Sequence, residues 1–303
     1  MAVNTAAIKS LLRPGLKTVF GDYPMYEGQW ADIFTRNKSN MASEVDVEMR
    51  YLSLAQLKTE GASVSYDLNS GERYSTIYNH QTIGLGFIIT REAMRDNLYQ
   101  SAFPNQAKAL SNSLKQTKEI RAASVLNNGF TAGAFALGDG QALFSTAHPI
   151  DNGTVANTFS VQADLSEASL EAAVIGTQKF RDIAGNRVMV KPTKLIVPAE
   201  LQFTAERLLK TELRTSTANN DINAMYSLST VPQGYRVNQF LTDPNGWYLM
   251  TNAENGFKYF ERDPVETDMT TDFDTKSIKV SAIERYSFGV SNFRASWASQ
   301  GAS

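Results

Sequence analysis

The sequence predicts an α+β chain with a long central helix and mostly antiparallel strands. Three observations predict it. Period-two alternation runs on both sides of Asn69-Ser70-Gly71 and reads as a hairpin. Residues 105–127 contain neither Pro nor Gly and are rich in helix formers. From 235 onward, short strand-like runs follow one another at 235–241, 247–251, 256–261 and 277–290.

The elements follow in order. Ile8, Leu11 and Leu12 have helical spacing, and Pro14-Gly15 ends a short amphipathic N-terminal helix. Residues 16–40 carry Phe20, Tyr23, Tyr26, Trp30 and Phe34, while Gly21, Pro24 and Gly28 interrupt any regular element. This predicts an extended arm that buries its aromatics against a surface and stays mobile until tied down. Residues 45–87 turn to strand. Val64, Tyr66 and Leu68 alternate before the turn, and Tyr74, Thr76 and Tyr78 after it. A lone two-stranded hairpin is marginal in water, so this one is expected to need a partner surface.

Residues 90–98 open on a cap-like Thr90 and read as a short helix. Pro104 is placed at the first turn of the long helix, and Asn127-Asn128-Gly129 at its end. Leu110 and Leu114 pair along that helix, with Ile120, Val125 and Leu126 off their line, which predicts shallow contacts along its length. Residues 130–157 are Gly-rich and irregular. A second helix is predicted over 166–184, with Ser166 as cap, Glu167 and Glu171 early and Lys179 and Arg181 late. A strand at 194–197, Pro198, a third helix over 199–210 and a polar loop at 215–223 complete the reading.

Composition narrows the function. The 303 residues include 29 Lys plus Arg against 31 Asp plus Glu, for a formal net charge of −2. A dedicated nucleic-acid binder usually has a strongly basic face, so this balance argues against one. There is no cysteine, hence no disulfide and no thiolate chemistry. The most apolar stretch, 83–90, is too short to span a membrane. The N-terminus lacks a secretory pattern, so the product is expected to be intracellular at synthesis.

Candidate chemistry is sparse. His148 has Ser145 and Asp151 three residues away on either side, but chain neighbours rarely assemble a triad. The default is a loop histidine bonded to backbone groups. His80 lacks a partner nearby in sequence and reads as a surface residue. His148, Asp139 and Asp151 do not have metal-site spacing, and the acidic run Glu261, Asp263, Glu266, Asp268, Asp272 and Asp274 lacks the pattern of a calcium loop. The default for that run is a solvated acidic edge. Gly138-Asp139-Gly140 and Gly84-x-Gly86 are not phosphate loops. Lys108, Lys115 and Lys118 form a loose basic stripe, which could face nucleic acid but by default pairs with carboxylates or water. No catalytic, cofactor-binding or metal-ligating residue is therefore assigned. An arm, a hairpin and a helix with little self-burial suggest a chain that buries them on other copies of itself.

Three stretches carry a family resemblance. They are DGQALFSTAHP at 139–149, PTKLIVPAELQFTAERLLKT at 192–211 and KSIKVSAIERYSFGVSNFRASWA at 276–298. Together and in this order they resemble the major capsid proteins of tailed bacteriophages, most closely the Mu-like major head subunit. The resemblance implies an N-terminal arm at 1–40, an extended loop at 41–88 and a peripheral domain with its spine helix at 89–159. It implies an axial domain at 160–250 and a return to the peripheral domain at 251–303. It further implies a non-enzymatic shell subunit, without cofactor, that forms pentamers and hexamers around packaged double-stranded DNA. The expected partners are a separate scaffolding protein, a portal and a decoration protein, with no membrane. The expected location is the virion, after assembly in the host cytoplasm. Because the arm begins at once, the scaffold would be separate or already cleaved. Two other readings are an encapsulin-type nanocompartment shell and a hydrolase using Ser145 and His148.

Overall fold

The computed structural model describes residues 19–21, 23, 28–50, 52–67, 71–95, 99–133, 137–213 and 221–302. The expected N-terminal helix, Tyr26, and Leu68, Asn69 and Ser70 at the hairpin tip lie outside them, as does most of the polar loop at 215–223. In chain order the first elements are β1 (Thr35–Lys38), β2 (Ser43–Arg50), β3 (Gly71–Asn79), β4 (Gln81–Ile89), α1 (Arg91–Arg95) and α2 (Tyr99–Asn127). A short hairpin, β5 (His148–Ile150) and β6 (Gly153–Val155), precedes α3 (Glu167–Gln178), β7 (Pro192–Val197), α4 (Gln202–Lys210) and α5 (Ala224–Ser227). The chain closes with β8 (Tyr235–Val237), β9 (Trp247–Thr251), β10 (Phe257–Thr271), β11 (Ile278–Val290) and β12 (Ser296–Ser299).

Two four-stranded sheets organise these elements. The first has the order β1-β10-β11-β4, antiparallel except where β1 pairs parallel with β10. Along β11, Ile278, Val280, Ala282, Glu284 and Tyr286 are buried and alternate with more exposed residues, as a sheet with one covered face requires. Helix α2 covers that face with Phe103, Ala107, Leu110 and Leu114. The second sheet has the order β12-β9-β7-β8. Residues 195–197 of β7 and 247–250 of β9 are continuous buried apolar stretches. Gly176 of α3 lies so close to Trp297 of β12 that a Cβ would sit 2.5 Å from the indole ring. One large core joins the two sheets, from Trp30 and Tyr259 to Leu195 and Trp247.

The structure corrects several expectations. Residues 62–67 form no strand, and β3 pairs instead with β2, from Ser43↔Asn79 to Arg50↔Gly71 with a register shift between Glu48 and Met49. Alternation shows that a segment is suited to a strand, and pairing is decided by what lies beside it. Helix α2 begins six residues before its predicted start, with Pro104 inside it. Its self-contacts are also deep. Ala107, Ala122, Ala123, Val125 and Leu126 are fully buried, because small side chains let the helix approach its neighbours closely. The aromatics of 16–40 do not await a partner either. Phe20, Tyr23, Trp30 and Phe34 are buried in this chain, with Trp30 against Tyr259 at 4.7 Å and Phe34 against Phe288 at 4.9 Å.

Helix α3 stops at Gln178, six residues short of the prediction. Ser166 and Ser169 cap its start by exchanging hydrogen bonds. Beyond its end, Asp182 and Asn186 close a turn through Asp182 N–H to Asn186 O at 2.8 Å. Strand β10 runs ten residues past its expected end at Glu261. Its register against β11 shifts around Pro264, which has no N–H to give the ladder.

Lys118 pairs with a carboxylate, as its default reading has it, but buried inside the chain rather than across an interface or in water. Its Nζ lies 2.8 Å from Glu284 Oε2, within 4.9–5.6 Å of the ring centroids of Tyr23, Tyr286 and Tyr259. Tyr23 donates its hydroxyl to Glu284 Oε1 at 2.8 Å. Burial, then the Glu284 charge, pushes the Tyr23 pKa far above the ordinary phenol value. Removing one member of such a pair strands the other charge. Lys118→Met should therefore destabilise the subunit by about 3–5 kcal/mol in urea unfolding, while Lys118→Met with Glu284→Leu should recover most of that loss.

Candidate functional site

Strands β2 and β3 form a two-stranded ribbon that belongs to neither main sheet. Its alternation is inverted relative to an ordinary surface strand. In β2, Val45, Val47 and Met49 are exposed, whereas Glu44, Asp46, Glu48 and Arg50 are half-buried. Cross-strand pairing places Val45 opposite Ile77, also exposed. The apolar side chains of β2 thus share the outer face with Ile77 and the exposed Glu72 and Ser75 of β3, and the charged side chains of β2 face the body of the chain.

Those charges tether the ribbon. Asp46 pairs with Lys258 and accepts from the Ser291 hydroxyl. Glu48 Oε1 accepts from Arg294 Nη1 at 2.7 Å, and Arg294, itself buried, also donates to the Arg181 carbonyl at 2.6 Å. Asp151 receives Arg50 at 2.6 Å and Arg73 at 2.9 Å. Strand β3 adds two close contacts. The Tyr78 ring packs on Gly289 and Phe260, and Gly138 lies against the Ser75 backbone, where a Cβ would approach the carbonyl to 2.7 Å. The hairpin is expected to need a partner surface, and for Tyr78 that surface is its own chain, in which it is buried.

Beyond the ribbon, residues 52–66 are exposed, including Leu52, Leu54, Leu57, Val64 and Tyr66. A second set of exposed apolar residues, Phe203, Leu213, Ile222, Tyr226 and Leu228, clusters in sequence about α4 and α5.

The residues singled out for chemistry fall elsewhere. His148 is fully buried, stacked on Phe293 with ring centroids 3.9 Å apart. Its Nδ1 lies 2.7 Å from Asp139 Oδ2 and its Nε2 3.2 Å from Asn157 Oδ1. Both ring nitrogens are engaged, so neither is left to accept a serine proton. Its partners are side chains, not the backbone groups expected. Ser145 is turned to Ala147 N–H, and Asp151 to the two arginines. The triad reading therefore fails on geometry. Among the described residues no three His, Asp or Glu side chains gather as metal ligands.

His80 is also buried, contrary to its surface reading. Its Nδ1 lies 3.0 Å from Ser287 Oγ and its Nε2 3.0 Å from Ser39 Oγ. The acidic run mostly lies along β10, with Glu261 paired to Arg36 and Asp272 to Lys279. No described helix is long and apolar enough to cross a membrane.

A family model described as phage capsid protein matches residues 73–299. The chain belongs to that family. The ribbon of this capsid protein exposes Val45, Val47, Met49 and Ile77 on its outer face. Solved structures show the same fold at low identity. The capsid of a native GTA particle matches with a TM-score of 0.59 at 11% identity, covering 92% of each chain. Microbacterium phage Oxtober96 matches at 0.55 and 10% identity, covering 90% of each. A virus-like particle from Pyrococcus furiosus matches at 0.51 and 9%, covering 95% of this chain and 97% of that one. A search of curated proteins found no match. The capsid protein is thus a major capsid subunit of the tailed-phage fold and a virion component.

Two predictions concern the buried histidines. His148→Ala should destabilise the subunit by about 3 kcal/mol, since it opens a cavity and leaves Asp139 without its partner. Thermal unfolding checks this, and an unchanged midpoint contradicts the structural role. Burial lowers the His80 pKa from its ordinary 6.5. The unfolded chain then binds the proton more tightly than the folded one. His80 should contribute stability above about pH 6.5 that is lost as pH falls through the lowered folded value. His80→Gln should flatten that part of the stability–pH curve.

Proposed function

We propose that this capsid protein builds an icosahedral shell of pentamers and hexamers around packaged double-stranded DNA. The single observation that carries the reading is the inverted ribbon, charged toward its own body and apolar outward. An isolated subunit gains nothing from Val45, Val47, Met49 and Ile77 in water, whereas a neighbouring copy can bury them. In this reading residues 1–40 act as the arm, 41–88 as the extended loop and α2 as the spine helix. Residues 160–250 form the axial domain, whose exposed Phe203, Ile222 and Leu228 meet at capsomer centres. Residues 251–303 return to the peripheral domain, with β12 adding to the axial sheet. The subunit has a structural rather than an enzymatic role. It works with a separate scaffold, a portal and a decoration protein, assembles in the host cytoplasm, and belongs with the Mu-like heads that its three sequence segments resemble.

A nanocompartment shell is the second reading, favoured by the likeness to the virus-like particle. Nucleic acid extracted from particles made during infection separates the two. Genome-length double-stranded DNA supports the phage head, and a protein cargo without DNA supports the compartment.

Assembly itself is tested at the ribbon. Val47→Asp and Ile77→Asp lie on the exposed face, so each should change subunit stability by no more than about 0.5 kcal/mol. Both should abolish shells in electron micrographs of the protein co-expressed with its scaffold. Normal shells from either variant would show that the outer face is not an assembly surface.

A further inference from the structure

Residues 62–67 alternate as a strand should, yet among the described residues no strand is hydrogen-bonded to them, and Val64 and Tyr66 are 58% and 83% exposed. At its ends Ala62 N–H bonds Thr59 O at 3.1 Å, and Asp67 Oδ2 accepts Ser53 N–H at 2.7 Å and faces Arg50 at 3.6 Å. Strand β4 shows the complementary lack. It forms one edge of the first sheet, in unbroken register with β11 over nine residues. Its sequence, QTIGLGFII, has no charge and no proline. Among the described residues no strand pairs with its other edge.

Natural proteins blunt free edges with charge, proline, bulges or short length. The other edges of the two main sheets are blunted in this way. β1 has four residues with Arg36 and Lys38, β8 has three with Arg236, and β12 has four that are buried. β4 has none of these devices, so it needs a cover in the assembled state.

We propose that residues 62–67 of one copy add as a strand to the free edge of β4 in a second copy. This rests on the shell-subunit reading and names the contact that would link neighbours. Residues 62–66 carry no charge, matching the uncharged edge. Gly84 and Gly86 lie opposite Ile283 and Ser281 on the outer face, to which they bring no side chain of their own. A cross-strand aromatic ring is the usual cover for such glycines, and Tyr66 supplies one. In one chain the nine residues of β3, roughly 30 Å of extended strand, lie between the segment and β4.

The absence of cysteine makes the test clean, since any disulfide comes from an introduced pair. Ile88 is exposed on the same face as the two glycines. Shells of Tyr66→Cys with Ile88→Cys, or of Val64→Cys with Ile88→Cys, should give intermolecular disulfides on non-reducing gels. Leu57→Cys with Ile88→Cys should not. A proline scan over Ser63, Val64, Ser65 and Tyr66 gives a second readout. Among the described residues no backbone–backbone bond involves these four, so each variant should fold with an unchanged circular dichroism spectrum. Shell formation should be lost at every second position only, because alternate N–H groups face the added edge. Failure of either the disulfide or the alternate loss, in a protein whose unaltered chain still forms shells, overturns this inference and leaves the assembly reading intact. Failure of the unaltered chain to form shells overturns the assembly reading.

Discussion

Where α2 crosses the first sheet, Lys118 and Glu284 meet inside a ring of tyrosines, and much of the chain is arranged around that contact. A buried ion pair is costly to desolvate, and it survives only when its geometry and remaining hydrogen bonds are satisfied. Here Glu284 takes the ammonium on one oxygen and the Tyr23 hydroxyl on the other. The next residue of the helix, Glu119, accepts the Trp30 backbone N–H at 3.0 Å. Adjacent positions of one helix therefore fix two points of the N-terminal segment and one of the sheet. This placement brings Trp30 onto Tyr259 and Phe34 onto Phe257 and Phe288. It leads the chain into β1, beside β10. The apolar cores on either side of the pair supply the energy, and the pair sets the register in which they meet.

The ribbon divides its interactions differently. Its inner contacts are ionic and partly hydrated, and its outer residues are apolar and exposed. Ion pairs of this kind contribute little net stability but discriminate strongly between positions. They orient the ribbon without consuming apolar surface. Had Val45 and Val47 faced the body and Asp46 and Glu48 the solvent, the subunit would gain stability and lose its exposed apolar face. Buried apolar area is the main source of association energy, so in the proposed shell this orientation trades monomer stability for assembly.

Much of the architecture was legible in the sequence because it rests on local signals. The absence of breakers marked the body of α2, Ser166 marked the start of α3, and continuous apolar runs marked β7 and β9. What was not legible depends on distant partners. Nothing near Lys118 in the chain announces Glu284, 166 positions away. Nothing near His80 announces Ser39 and Ser287. His148 had Ser145 and Asp151 close in sequence, but the fold gave it Asp139 and Asn157 instead. The charged alternation of β2 was a signal that could have been used. Glu44, Asp46, Glu48 and Arg50 interleaved with Val45, Val47 and Met49 form a stronger period-two pattern than the segment chosen as the first hairpin strand.

The misread segment at 62–67 has a physical explanation of its own. Period-two patterning records which environment a strand has in the state where the sequence is used, and for a shell subunit that state contains neighbours. A subunit considered alone has an unpaired alternating segment, an uncharged free edge and apolar residues facing water, each a liability in a monomer. Taken together they are complementary, since a segment lacking an edge and an edge lacking a strand occur in the same sequence. In a closed shell every copy is both donor and acceptor, so one pair of unsatisfied features per chain suffices to link neighbours around the surface. Consistency between sequence and structure is then to be sought at the level of the assembly, and the places where the isolated fold departs from the local pattern mark where the copies meet.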